Sequence, residues 1–270
     1  EQRSAESENV IANVRQRHVP PDPTPGPQDV LLEVKACGVC GSDVHGLDGS
    51  TGRRIPPLIM GHEASGIIAE TGSSVAGWKK GERVTFDSTV YPLDDWYTLR
   101  GLYNLSDNRE VLGVSPGTFR RHGAFAEYVA VPSHILYRIP DNVSFEQAAM
   151  VEAAAVALHA VNLSGTRTGD ACLVTGAGTI GLFLIKLLGI AGASFVTAAD
   201  LDEKSLEMAL AAGAGLACRP ADSRLAEALR YRTGGRGADV AFEAVGLSET
   251  VGLSIELVRK GGTVVLVGNR

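Results

Sequence analysis

Ala171-Cys172-Leu173-Val174-Thr175-Gly176-Ala177-Gly178-Thr179-Ile180-Gly181 decides the fold of this chain. Its first five residues carry no charge and read as a buried strand. The apolar run that starts at Thr179 reads as a helix to Ile190. The three glycines between them have separate tasks. Gly176 allows a tight turn, Gly178 lets the backbone approach a pyrophosphate, and Gly181 lets the helix pack close to the strand. The helix N-terminus, at Thr179 and Ile180, offers unpaired N–H groups to phosphates. About 20 residues on, a second strand-like run, 194–199, ends at the acidic Asp200. A carboxylate there accepts hydrogen bonds from an adenosine ribose and repels a 2′-phosphate. The reading is a dinucleotide site that favours NAD over NADP.

Downstream, strand and helix keep alternating. Strands are expected at 171–175, 195–199, 215–219, 240–245 and 263–267, with helices near 179–190, 203–212, 224–232 and 249–259. That alternation implies a parallel, doubly wound sheet of five strands. Upstream the pattern changes. Residues 1–8 are a polar tail, and Pro20 to Pro27 forbids helix. Short β-like runs follow at 30–36, 63–70, 83–86 and 126–131. Ser144-Phe145-Glu146-Gln147 reads as a capping box that opens a helix reaching about Val161. The expected organisation is a mostly-β domain over 1–143 and a Rossmann domain over 144–270.

The 270 residues suffice for two cores. A net charge of −6 argues against nucleic-acid and anionic-membrane partners. Four cysteines, Cys37, Cys40, Cys172 and Cys218, are too few for a disulfide scaffold, so a reducing cytoplasm fits. No signal peptide is visible. The apolar stretch 173–196 contains Lys186 and several glycines, and the nucleotide motif explains it better than a membrane span does.

The β half carries Cys40-Gly41-Ser42-Asp43-Val44-His45 and Gly61-His62-Glu63. Cysteine, histidine and carboxylate are the ligands of a catalytic zinc, which keeps one position open. Each alone is bland, since a lone cysteine is usually a small buried hydrophobe. Cys37-x-x-Cys40 is not followed by the βαβ unit of a thiol redox pair, and the β half has no second pair for a four-cysteine zinc site, so Cys37 is expected to be structural.

The run from Val34 to His45 resembles the zinc signature of the zinc-dependent medium-chain alcohol and polyol dehydrogenases. Gly61-His62-Glu63-Ala64-Ser65-Gly66, His122 to Tyr128, Met150-Val151-Glu152 and the glycine turn resemble the same family. The resemblance runs from about Pro20 to Gly268 and implies a GroES-like catalytic domain followed by a Rossmann domain. It makes Cys40, His62, Glu63 and Glu152 the zinc set, with Glu63 and Glu152 alternating with a water. It makes Asp43 the carboxylate that orients His62, Ser42 the acceptor of the substrate proton, and His45 the group that passes it to solvent through the cofactor ribose. Relatives often place a basic residue five positions after the acidic one. Here that position is Ser205, and Lys204 becomes the expected ribose contact.

Four departures matter. Many relatives hold a structural zinc with four cysteines spaced C-x2-C-x2-C-x7-C, and the aligned residues here are Pro92, Asp95, Thr98 and Ser106. One catalytic zinc and no structural zinc are therefore expected, with Trp96, Tyr97, Leu99, Leu102 and Tyr103 packing the lobe instead. Ala153 replaces a proline after Glu152. Gly46 replaces a bulky aromatic after His45, which suggests a more open pocket. The family also continues past Gly268, so the Rossmann domain is expected to be C-terminally incomplete, and a full-length form to be a homo-oligomer. The implied activity is hydride transfer from a secondary alcohol, a polyol or sugar alcohol, to NAD. The rivals are a zinc-free quinone or enone reductase of the same fold and a catalytically inactive dinucleotide-binding fragment.

Overall fold

A computed structural model describes residues 23–47, 52–114 and 121–268. The polar tail and the start of the proline run, Pro20 to Asp22, lie outside the described residues. The chain divides into two compact units between Glu152 and Ala153.

The first unit is built on a five-stranded antiparallel sheet. Its elements are β1 (Asp29–Gly38), β2 (Glu63–Thr71), β3 (Arg83–Phe86), the short β4 (Thr89–Val90) and β5 (Glu110–Val111), β6 (Tyr128–Pro132) and β7 (Leu136–Arg138). The sheet order is β6-β1-β2-β3-β7, while β4 and β5 pair apart from it. Alternation sets the faces: Val30 and Leu32 of β1 point inward, and they meet Ile68, Val84, Val129 and Val131 in one core. The helix α1 (Gly41–Gly46) follows β1 directly and carries no apolar period that would announce it.

The capping box at Ser144 is present. Ser144 Oγ accepts from Gln147 N–H at 3.2 Å, and Gln147 Oε1 accepts from Ser144 N–H at 2.9 Å. The single helix expected after it is instead two, α2 (Phe145–Ala149) and α3 (Val151–Ser164). Hydroxyls from the sheet explain the break. Ser65 Oγ donates to the Phe145 carbonyl at 2.6 Å, and Thr85 Oγ1 donates to the Ala148 carbonyl at 3.2 Å. The Ala148 carbonyl is the one a continuous helix would use for its Glu152 N–H.

The second unit is the doubly wound sheet. Its strands are β8 (Ala171–Thr175), β9 (Phe195–Ala199), β10 (Leu216–Cys218), β11 (Ala238–Glu243) and β12 (Val258–Leu266). All pair in parallel, in the order β10-β9-β8-β11-β12. Every residue of β8 is buried, as a central parallel strand requires. The helices α4 (Thr179–Ile190), α5 (Glu203–Ala212), α6 (Ser223–Arg232) and α7 (Ser248–Leu257) connect the strands. The last helix stops at Leu257, short of the expected Arg259. Val258 already pairs with Ala238, and the register shifts before Thr263 pairs with Val240. Gly261, with φ at 71°, lies in that irregular stretch. No helix among the described residues is long and apolar enough to cross a membrane.

Candidate metal centre and dinucleotide turn

The metal residues come from two neighbouring strand ends. Cys40 caps α1 just after β1, and His62 and Glu63 sit where β2 begins. Because β1 and β2 pair with Gly38 opposite Glu63, the two signatures meet in space. One ligand atom each from Cys40, His62 and Glu63 fall within 4.8 Å of one another. Glycine makes the fit possible at two points. A Cβ on Gly38 would lie 2.2 Å from Glu63 Oε2, and Gly61, with φ at 98°, turns the chain directly before His62. Glu152, at the start of α3, stands outside the 4.8 Å cluster. Its carboxyl is nonetheless pushed upward, first by burial, with Glu63, Asp87 and Asp43 adding to the effect against the opposing pull of His62.

Asp43 ties the cluster together. It is 2% exposed. Its Oδ2 accepts from Cys40 N–H at 3.3 Å, and its Oδ1 stands 3.6 Å from His62 Nδ1. That distance is just beyond a hydrogen bond, and Nδ1 is buried with no nearer partner. Burial opposes charge on both residues. On His62 it is outweighed by Asp43 and Cys40, which hold the imidazole up at about 10. On Asp43 it is outweighed by His62 and then Arg54, which hold the carboxyl below the usual range. A buried imidazole, a thiol and a carboxylate, with one ligand atom each within 4.8 Å, form a donor set that fits a zinc ion.

Arg54 was not legible from sequence. Its side chain is 5% exposed, and its guanidinium donates to Asp43 Oδ1 through Nε at 3.3 Å and Nη2 at 3.1 Å. Nη2 also donates to Ser42 Oγ at 3.0 Å. The space expected to open beside Gly46 is taken by this side chain, because a Cβ there would lie 2.3 Å from Arg54 Cγ. His45 lies in the last turn of α1 and is exposed.

The aligned structural-zinc positions also hold something the sequence did not reveal. Asp95 accepts the Ser106 hydroxyl in a short hydrogen bond and the Thr98 N–H at 2.6 Å. Two of the four aligned positions, Thr98 and Ser106, thus converge on the carboxylate of a third, Asp95. The aromatics contribute less than expected. Tyr103 stacks on Tyr91 at 4.4 Å and Arg100 covers Trp96 at 3.9 Å, but Trp96, Leu99 and Leu102 stay largely exposed.

In the second unit the glycine turn behaves as its spacing implies. A Cβ on Gly181 would strike the Gly176 carbonyl oxygen at 1.9 Å, so helix and strand touch there. Gly176 has φ at 94° and faces Val245. Around Gly178 nothing lies within 4 Å of a Cβ position, so the protein's own packing does not require glycine there. Open room above a helix N-terminus at the central strand is what a pyrophosphate needs, and the turn fits the cofactor. Asp200 accepts from Ala177 N–H at 2.7 Å and from Asp202 N–H at 2.9 Å, which brings it to the turn. Lys204 is an exposed residue in the first turn of α5. Glu243, fully buried at the end of β11, accepts from Val245 N–H, Gly246 N–H and Thr250 Oγ1 through Oε1. It shapes the loop facing Gly176, and its apolar surroundings in sequence disguise it.

The fold and these two clusters define a zinc-binding oxidoreductase with a nucleotide domain. A model of the alcohol dehydrogenase GroES-like domain matches residues 26–141, and one of zinc-binding dehydrogenases matches residues 179–270. The (R,R)-butanediol dehydrogenase of Bacillus subtilis (strain 168) is 35% identical over 266 residues, covering 94% of this chain and 74% of that protein. The D-xylulose reductase of Saccharomyces cerevisiae is 35% identical over 252 residues, covering 90% of this chain and 69% of that protein. A crystal structure from Sinorhizobium meliloti 1021, described as bound to NADP, superposes with a TM-score of 0.84. It is 36% identical and covers 92% of this chain and 71% of that one. The chain belongs to the zinc-dependent medium-chain alcohol and polyol dehydrogenases. It is an oxidoreductase whose chemistry rests on zinc and a nicotinamide cofactor.

Proposed function

We propose that this chain oxidises a secondary alcohol of a polyol or sugar alcohol with NAD, through one zinc held by Cys40, His62 and either Glu63 or Glu152. The convergence of Cys40, His62 and Glu63 within 4.8 Å carries the reading. Relatives named as butanediol dehydrogenase and xylulose reductase support the substrate class. When bound, the zinc supplies Lewis-acid polarisation of the alcohol oxygen, and the nicotinamide accepts the hydride.

The chain's own residues do the rest. Asp43 Oδ1, 3.6 Å from His62 Nδ1, faces that side of the ring and favours its orientation by charge. Ser42 takes the hydroxyl proton, and His45, exposed in the last turn of α1, hands it to solvent. The glycine turn and Asp200 seat NAD, with Lys204 beside the ribose. Asp200 supports NAD over NADP because a 2′-phosphate would meet its charge. The lobe offers no thiolate, which supports a single zinc. Its exposed Leu93, Trp96, Leu99, Leu102 and Leu105 support pairing between copies. Four unpaired cysteines support a cytoplasmic setting.

Elemental analysis of purified protein should find one zinc per chain, and Cys40→Ser should abolish it. NADH formation followed with a panel of polyols and simple alcohols should single out vicinal diols. Two tightly held zincs, or tighter binding of NADP than NAD, would overturn the corresponding part of the proposal. An absence of turnover with every alcohol would overturn the activity.

A further inference from the structure

We propose that Arg54 is a positioning residue of the metal centre, holding Ser42 and Asp43 in one arrangement, and that residue 46 is glycine because the Arg54 stem crosses it. The inference rests on the function proposed above.

The geometry is specific. Arg54 places two N–H groups on a single carboxylate oxygen, Asp43 Oδ1, and Nη2 reaches Ser42 Oγ as well. A guanidinium presents its donors in a rigid planar fork, so one side chain fixes both neighbours at once. The contact to Ser42 consumes one acceptor position of that hydroxyl. The remaining lone pair and the hydroxyl hydrogen are then left for proton exchange with a substrate. The contact to Asp43 anchors the residue that stands 3.6 Å from His62 Nδ1. Without Arg54, the contacts that this almost fully buried carboxylate keeps among the described residues include the Cys40 N–H and the longer approach to His62. Such a group is costly to leave unpaired and free to reorient.

Gly46 supplies an independent mark of the same arrangement. A Cβ there would lie 2.3 Å from Arg54 Cγ and 3.1 Å from its Cβ. These are root atoms of the side chain, and its far end is held by three hydrogen bonds. The arginine therefore cannot swing aside without releasing Ser42 and Asp43.

The two contacts predict separable effects. Zinc transfer to the chromogenic chelator 4-(2-pyridylazo)resorcinol reads the Asp43 contact, and kcat against KM reads the Ser42 contact. Arg54→Met should release zinc about tenfold faster and lose about tenfold in kcat, the range typical of groups that orient metal ligands. KM for NAD should stay within about twofold, since the nucleotide turn is untouched. Arg54→Lys keeps a charge for Asp43 but lacks the fork, so it should hold zinc nearly as wild type does and still lose kcat. Should Arg54→Met fail to fold, by circular dichroism, Arg54→Lys decides: wild-type kcat in that variant overturns the proposal. So does unchanged or slower zinc release from a folded Arg54→Met. Wild-type protein that takes up no zinc overturns the proposed function and this inference together, whereas zinc-loaded Arg54 variants that behave as wild type overturn the inference alone.

Discussion

Cys37 lies near the end of β1, and Cys40 caps α1 three residues on. Burial, helped by the nearby Asp43 and Glu63 charges, pushes the Cys37 thiol up to about 12. Burial does the same to Cys172. Neither forms appreciable thiolate near neutrality, and the thiolate is the nucleophile. Brief treatment of metal-free protein with iodoacetamide at pH 8 should therefore spare Cys37 and Cys172, and added zinc should suppress any labelling of Cys40. Peptide mass spectrometry reads the result, and labelling of Cys37 ahead of Cys40 would contradict it. Asp200 offers a second test at this scale. Its carboxylate both caps the Ala177 N–H and presents charge to a ribose. Asp200→Asn retains an acceptor for the turn and removes the charge. The ratio of NAD to NADP affinity should fall by about tenfold, a change of 1.4 kcal/mol. Asp200→Ala should also weaken NAD itself. A fluorescence titration showing an unchanged ratio for both variants would exclude Asp200 as the selector.

The lobe from Tyr91 to Ser106 is the element where hydrogen bonds to Asp95 gather the loop. Asp95 is held below its ordinary value, first by the Ser106 hydroxyl and then by the Thr98 N–H. A carboxylate whose value is depressed on folding contributes stability above its unfolded value of about 3.9, and loses it as pH falls through the folded value. The lobe should thus loosen in acid below about pH 4. Trp96 fluorescence in a Trp78→Phe background reports it, and Asp95→Asn should remove that dependence. At neutral pH, Asp95→Ala should speed limited proteolysis within 91–106, whereas a chelator should not. Chelator-induced cleavage there would show that a metal holds the lobe after all. This knot was invisible in sequence because Asp95, Thr98 and Ser106 have no periodicity in common. Only the fold of the loop brings them together. The break between α2 and α3 was hidden for a related reason: Ser65 and Thr85, which cap the α2 carbonyls, lie far upstream. By contrast, β8, its glycine turn and α4 were readable because each signal is local. The same holds for Cys40, His62 and Glu63, whose motifs are short and fall on paired strand ends. Arg54 had no such motif, and its trace in the sequence was Gly46, which read instead as a more open pocket.

Over the whole chain, each unit owns a separate core. Val30, Leu32, Ile68 and Val84 belong to the first, and Val174, Leu184, Leu188 and Phe242 belong to the second. The two candidate ligands also divide this way, with the Cys40 cluster on strand ends of the first unit and the glycine turn wholly in the second. A ligand that binds only folded protein stabilises what it binds, by about 2.7 kcal/mol at a hundredfold excess over Kd. For a unit of this size that raises its melting temperature by roughly 10 °C. Calorimetry should resolve two transitions. Zinc removal should lower only one, and NAD should raise only the other, so that chelated protein still binds NAD with unchanged Kd. Cys40→Ser should reproduce the first effect, and Asp200→Ala should blunt the second. A single transition shifted by both ligands would show that the two cores melt as one cooperative body, and that zinc and NAD stabilise it jointly.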